Sequence, residues 1–278
     1  MHSEKITILL PIYKPKMRFL KETLLSILNQ TLEKRFFKLF IINDSLNDKE
    51  RMTINQFLDD RIKFSYIDVE RGNIAKSLQK GLSQVNTKYF ARIDADDIME
   101  NVRLKEQLEY IEKDNQIAVL GSRICFIDEE SKQINNLFSN LLFPTNNLLF
   151  LMVGSFYNNP VAHPSVICRT DYIKECGGFF QQPPSEDYWL WSLVIKNKKI
   201  INLSSVLTRY RIHKSQLTRK ESLSYKNRIR IRLRFWKALF VSSFIGQIFA
   251  ILLLPLIFIP LKLSHNFIKS LMLIFKKL

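Results

Sequence analysis

Four runs rich in bulky β-formers, at residues 6–10, 36–42, 62–69 and 89–93, alternate with stretches of helical periodicity, and this alternation limits the fold more than any other feature. Leu20, Leu24, Ile27 and Leu28 recur at helical spacing after the first run, and Ile74, Leu78, Leu82 and Val85 mark one helix face before the fourth. Near-continuous apolar strands separated by amphipathic helices are what a parallel sheet covered on both faces requires. The pattern predicts an α/β protein. In such sheets ligands bind beyond the carboxyl ends of the strands, where Tyr13, Asp44, Arg71 and an acidic cluster beginning at Asp94 all fall.

Residues 89–97 read Tyr-Phe-Ala-Arg-Ile-Asp-Ala-Asp-Asp. Three carboxylates within four positions, placed where a strand leaves the sheet, repel one another and lose hydration, so a positive partner is expected nearby. A hard divalent cation with oxygen ligands meets that need. A solvated turn is the alternative, since Asp is a common turn residue.

Further on, Leu104, Leu108 and Ile111 continue as a helix, 117–120 and 123–127 read as two strands, and 131–160 as a polar loop or short helix. Residues 163–169 look like another strand, and 186–194 a helix with two acids in its first turn after Pro183-Pro184-Ser185. Segments 200–203 and 206–210 close the globular part. With seven glycines and no glycine-rich phosphate loop, cations must hold any phosphate. Cys125, Cys168 and Cys176 are odd in number and lack metal-type spacing, which predicts buried thiols in a reducing compartment. No signal peptide opens the chain, so the N-terminal part is expected to remain in the cytoplasm.

The tail differs in character. Of the net charge of +16, residues 219–278 supply +11, from twelve Lys or Arg against the single acid Glu221. Residues 238–261 carry no charged side chain, long enough for a membrane span, although Pro255 and Pro260 also allow a re-entrant or interfacial arrangement. Arg228, Arg230, Arg232 and Arg234 alternate with apolar residues, a period that suits a strand and on a helix would scatter the arginines over two faces. A basic collar beside an apolar segment predicts an anionic membrane surface as partner and no nucleic acid. The expected division is a catalytic domain over 1–218 and a membrane-associating region over 219–278.

Six stretches, in order, carry a resemblance: Ile6-Thr-Ile-Leu-Leu-Pro-Ile-Tyr13, Ser26-Ile-Leu-Asn-Gln-Thr31, Ile41-Ile-Asn-Asp-Ser45, Ala91-Arg-Ile-Asp-Ala-Asp-Asp97, Glu186-Asp-Tyr-Trp-Leu-Trp191 and Tyr210-Arg-Ile-His213. Through them the chain resembles a family 2 glycosyltransferase of the inverting GT-A type. The resemblance implies a Rossmann-like, mostly parallel sheet flanked by helices and a nucleotide-sugar donor, usually uridine-linked. It implies that Pro11 and Tyr13 line the base pocket, Asp44 contacts the uracil, Asp94 faces the ribose and Asp96 holds Mn2+ or Mg2+ against the diphosphate. Asp187 would be the general base, and Arg71 and Glu186 belong to the donor side. His213 either completes the cation's coordination or is a solvated histidine. Arg71 and Arg211 pair with phosphates or only neutralise the acids, and His163 either approaches the acceptor or packs.

Two departures concern the donor base: Asn43-Asp-Ser-Leu46 stands where the family has Asp-Asp-Gly-Ser, and Arg71-Gly-Asn73 replaces an asparagine-rich loop. The Gln-x-x-Arg-Trp mark of processive synthases is absent, which favours single-sugar addition. The expected activity is transfer to a lipid-linked or saccharide acceptor of a surface polysaccharide, at the cytoplasmic face of the cell membrane. Metal-dependent nucleotidyl transfer and a non-catalytic basic scaffold are the alternatives.

Overall fold

The computed structural model describes residues 4–70, 73–134, 159, 161–179, 185–196, 198–213 and 225–258. Nine strands among them form one mixed sheet: β1 (Ile6–Ile12), β2 (Phe37–Asn43), β3 (Phe64–Asp68), β4 (Tyr89–Arg92), β5 (Ile98–Met99), β6 (Ile117–Ile127), β7 (Gln133–Ile134), β8 (Ile167–Arg169) and β9 (Lys199–Arg211). Their spatial order is β3-β2-β1-β4-β8-β6-β9-β5, with β7 on β6. The first four are mutually parallel, as the alternation predicts. β8 then runs antiparallel to β4 and β6, and β5 antiparallel to β9, so the sheet is mixed beyond its parallel half.

Two cores lie on the two faces. Ile6, Ile8, Leu10 and Ile12 of β1 point into one with helices α1 (Met17–Leu28), α2 (Asp48–Leu58) and α4 (Arg103–Ile111). Leu9 points into the other with α3 (Ile74–Gln84), α5 (Thr170–Glu175) and α6 (Glu186–Val194). This period of two, buried on both sides, is why β1 reads as a continuous apolar run.

Pro11 ends the β1–β4 ladder. Ile93 donates its backbone N–H to the Leu9 carbonyl, so the next rung on that side would need an N–H from Pro11, which has none. The chain after Ile93 therefore leaves the sheet into the Asp94–Asp97 turn, closed by the Asp97 N–H on the Asp94 carbonyl.

Several sequence expectations change. Residues 117–127 and 199–211 are each one long strand, paired parallel with irregular register between Ser122 and Ile124. Those irregularities absorb the polar breaks that suggested separate strands. Residues 163–165 form a 3-10 turn and only 167–169 a strand, because Pro164 offers no ladder donor. The loop expected over 131–160 and the role given to Arg71 fall almost wholly outside the described residues.

The alternating arginines lie on a helix, α7 (Tyr225–Ser242). Ile231, Phe235, Ala238 and Leu239 form its buried face, and Arg232 is buried with them because its guanidinium caps the carbonyls of Leu256 and Ile257 at 3.1 and 3.2 Å. Ser243 breaks the apolar stretch and caps α8 (Phe244–Leu253), its hydroxyl accepting from the Gly246 N–H at 3.0 Å. Among the described residues no helix is long and apolar enough to cross a membrane. Ala250, Leu253, Leu256 and Ile257 instead complete the core around α6.

Candidate active site

The carboxyl ends of β2, β1 and β4 lie side by side, and most sequence-predicted residues sit there. At the β1 and β2 ends, the Asp44 N–H donates to the Ile12 carbonyl at 3.2 Å and the Lys14 N–H to Ser45 Oγ at 2.6 Å. Tyr13 is thus held beside Asp44, with its ring exposed, while Pro11 stays buried in the strand. The missing glycine of this turn has a structural answer. Asn43 Oδ1 accepts from the N–H groups of Ser45 and Leu46, at 3.2 and 2.7 Å, and Ser45 keeps a negative φ, so no glycine is needed. Asp44 Oδ1 is buried with no hydrogen-bond partner among the described residues.

In the acidic turn the three side chains separate by role. Asp94 and Asp96 remain part-exposed, whereas Asp97 is fully buried, with Oδ1 accepting the Arg211 N–H at 2.8 Å and Oδ2 without a partner. Burial first, then the neighbouring Asp96 and Asp94 charges, pushes the Asp97 carboxyl well above its usual range. Arg211 is also buried, donating from Nε to the Asp96 carbonyl at 2.8 Å and pairing with Glu22 at 2.6 Å. It braces the turn from behind. β9 ends there too, and His213 Nε2 lies 2.7 Å from Asp96 Oδ2.

Carboxylate oxygens of Asp94, Asp96 and Asp97 fall within 4.8 Å of one another. With an orphaned Asp97 oxygen and an imidazole beside Asp96, the donor set fits a divalent cation that accepts oxygen and nitrogen ligands, such as Mn2+ or Mg2+.

Because β8 is antiparallel to β4, the 3-10 turn that precedes it lies at the same edge of the sheet as Asp94. His163 Nδ1 is 3.2 Å from Glu186 and 3.9 Å from Asp187, the first two residues of α6. A carboxylate only accepts, so Nδ1 carries the proton and Nε2 is left with a lone pair. Burial, then the nearby Arg92 charge, holds the His163 pKa below its ordinary value. Burial, the largest single influence, opposes the Glu186 charge, but the His163 hydrogen bond, the charges of His163 and Arg92 and a backbone hydrogen bond together hold the pKa below the usual range. Asp187 goes the other way: burial, with the Glu186 charge added, pushes it up to about 7. It accepts from Asn159 at 2.5 Å and from the Tyr188 N–H at 2.7 Å. Ser185, just before the pair, is in the left-handed region at φ 78°, an uncommon conformation for a non-glycine residue.

Arg92 joins the two acidic groups. Fully buried at the end of β4, its guanidinium makes a two-pronged pair with Asp94, at 2.5 and 2.6 Å, and sits in the fields of Glu186, Asp187 and Asp97. Arg92 thus pairs directly with Asp94 and also feels the charge of Asp187, 93 positions on in sequence. An arginine inside a predicted buried strand was the available signal for this role; the sequence reading passed over it.

The model of the family described as Glycosyl transferase family 2 matches residues 7–163, over half the chain. The chain belongs to glycosyltransferase family 2. The family 2 transferase shares 30% identity over 206 residues with an uncharacterised glycosyltransferase of Haemophilus influenzae, covering 72% of this chain and 63% of that one. It shares 29% over 235 residues with the O-antigen biosynthesis glycosyltransferase WbnJ of Escherichia coli, covering 81% of this chain and 86% of that one. Its fold matches S. aureus TarS solved with UDP-GlcNAc, at TM-score 0.65 and 16% identity over 86% of this chain and 67% of that one. It also matches the mannosyltransferase PcManGT of Pyrobaculum calidifontis solved with GDP-Man and Mn2+, at TM-score 0.62 and 10% identity over 98% and 86%. The GT-A-like fold expected from the motifs is thereby established.

Proposed function

We propose that this family 2 enzyme moves a sugar, with inversion, from a UDP-linked donor to a hydroxyl of a lipid-linked or saccharide acceptor in surface-polysaccharide synthesis. The observation that carries the reading is the placement of both acidic groups around Arg92 at one edge of the sheet. Pro11, Tyr13 and Asp44 receive the base and Asp94 the ribose side, while Asp96 with His213 would hold Mn2+ or Mg2+ for the diphosphate. When bound, the cation supplies stabilisation of the charge that grows on the departing nucleotide. Asp187 takes the proton from the acceptor hydroxyl, while Glu186, held ionised by His163, fixes the start of α6. TarS with UDP-GlcNAc, PcManGT with Mn2+, and the O-antigen role of WbnJ support donor class, cation and acceptor class.

The exposed side chains of Phe244, Ile248, Ile251 and Leu252 fall on one face of α8, beside the basic α7. That face supports attachment to the cytoplasmic surface of the cell membrane, with residues 1–218 as the catalytic part and 219–278 as the attaching part.

His163, Glu186 and Asp187 also place ligand atoms within 4.8 Å, which is the second carboxylate set that nucleotidyl transfer would need. The Arg92 charge nearby disfavours a second cation there. The test is product and binding together. Transfer should release UDP rather than pyrophosphate, D187A should lower kcat by about 10²–10⁴ with UDP affinity intact, and D96A should abolish Mn2+-dependent UDP binding in calorimetry. Full activity of D187A would remove it as the base.

A further inference from the structure

Two carboxyls stand side by side at the start of α6, and one buried imidazole faces both. Like charges that close cannot both ionise freely out of water, so the surroundings must choose which of them holds the charge.

Most of the surroundings do not choose. The Arg92 charge favours the anion at Glu186 and at Asp187 alike, and so does the amino end of the helix. Both terminal nitrogens of Arg92 are taken by Asp94, so it gives the pair a field and no hydrogen bond. Among the described residues, Arg92 of β4 and Asp94 of the turn after it are the charges that reach this trio from other elements.

His163 does choose. Its Nδ1 lies 3.2 Å from Glu186 and 3.9 Å from Asp187, so Glu186 alone is within hydrogen-bond reach. The rings of Phe179 and Trp191 flank the imidazole at 5.3 and 5.8 Å between centroids, and Nε2 is buried with no partner among the described residues. A proton on Nε2 alone would be an orphaned donor, whereas on Nδ1 it meets a carboxylate. The N–H is therefore committed to Glu186. Asp187 is left with two neutral donors, the Asn159 amide and the Tyr188 N–H.

We propose that His163 is a positioning residue that gives the two neighbouring carboxyls their roles, keeping Glu186 as a fixed anion and leaving Asp187 as the group that takes up and releases a proton. The Glu186 charge so fixed is part of what pushes Asp187 up to about 7. The catalytic meaning rests on Asp187 being the base; the division of charge does not.

The test uses the full chain and thermal unfolding, with no substrate. In D187N the neighbouring acid no longer titrates, and E186Q is compared with its parent from about pH 4 to 8. H163N keeps an N–H donor at the place of Nδ1, H163F removes it, and neither carries an imidazole that titrates in this range. In D187N/H163N the pKa of Glu186 should stay below its unfolded value, so the glutamate contributes stability above about pH 4 and E186Q lowers Tm there. In D187N/H163F burial acts without that donor and lifts the folded pKa above the unfolded one, so E186Q should gain on its parent as pH rises. This reversal of slope is the expected result. A purely structural His163 would shift Tm equally at every pH, and the same slope in both backgrounds overturns the proposal. A second comparison leaves His163 in place. E186Q removes the charge beside Asp187, so the pH at which the Tm advantage of D187N over its parent stops growing should fall by about one unit, a tenfold change in proton affinity. If H163F does not fold, this comparison decides, and an unmoved limit overturns the proposal. Transfer retained in D187A beside the reversed slope would remove Asp187 as the base and leave the division of charge standing.

Discussion

At the scale of single residues, the site depends on how unequally like groups are treated. Asp187 is held near pH 7 by burial and by Glu186, one position away, which His163 keeps ionised. A base must be ionised to act, so kcat/KM should fall about tenfold per pH unit below pH 7 and level off above it. A limb displaced to pH 4 would mean an unperturbed carboxylate. The same shift bears on stability. An Asp raised in the folded state and near 3.9 in the unfolded chain contributes stability below pH 4 that is lost as pH rises to about 7. D187N escapes that loss, so its Tm advantage over wild type should grow between pH 4 and 7 and stay constant above. A difference independent of pH would contradict it. Much of this site was legible in sequence: Asp44, Asp94, Asp96, Glu186, Asp187 and His213 read as motif residues because their chemistry demands those types. Arg92 and His163 did not, since a buried cation and a histidine before proline show their partners only when β4 and β8 run antiparallel.

At the scale of elements, one buried side chain ties the antiparallel half of the sheet to the parallel half. Arg103, at the start of α4, is fully buried and donates to the carbonyls of Arg92, Pro164 and Val166 and to Thr208 Oγ1, at 2.6–3.1 Å. Burial lowers its pKa to about 9, so it remains charged at neutral pH. R103M would leave three carbonyls without that donor and should cost about 3–5 kcal/mol, read as a lower urea midpoint. A loss below about 1 kcal/mol would show that water replaces it. The helices α1, α3 and α4 and the four parallel strands announce themselves through periodicity, because each buries one regular face or both. The mixed half does not: β6 and β9 run on through pairing irregularities, and without a regular alternation of strand and crossover helix the sense of pairing leaves no mark in the sequence.

At the scale of the whole molecule, the described part of the tail has two faces that composition alone merges into one. Among the described residues, Ile231, Phe235, Leu239, Ala250, Leu253, Leu256 and Ile257 join the core beside α6, whereas Phe244, Ile248, Ile251 and Leu252 face outward from α8. F244S/I251S changes only outward-facing residues, so it should reduce binding to phosphatidylcholine vesicles by about tenfold with Tm unchanged. Undiminished vesicle binding would assign attachment elsewhere. Attraction to anionic lipid through α7 should instead fade with added salt. The break at Ser243 has a further consequence. α8 is ten residues long, about 15 Å, half the hydrocarbon thickness of a bilayer. Under the attachment proposed above, that helix would reach into a single leaflet, and the encounter with a lipid-borne acceptor would become a search over an area instead of a volume.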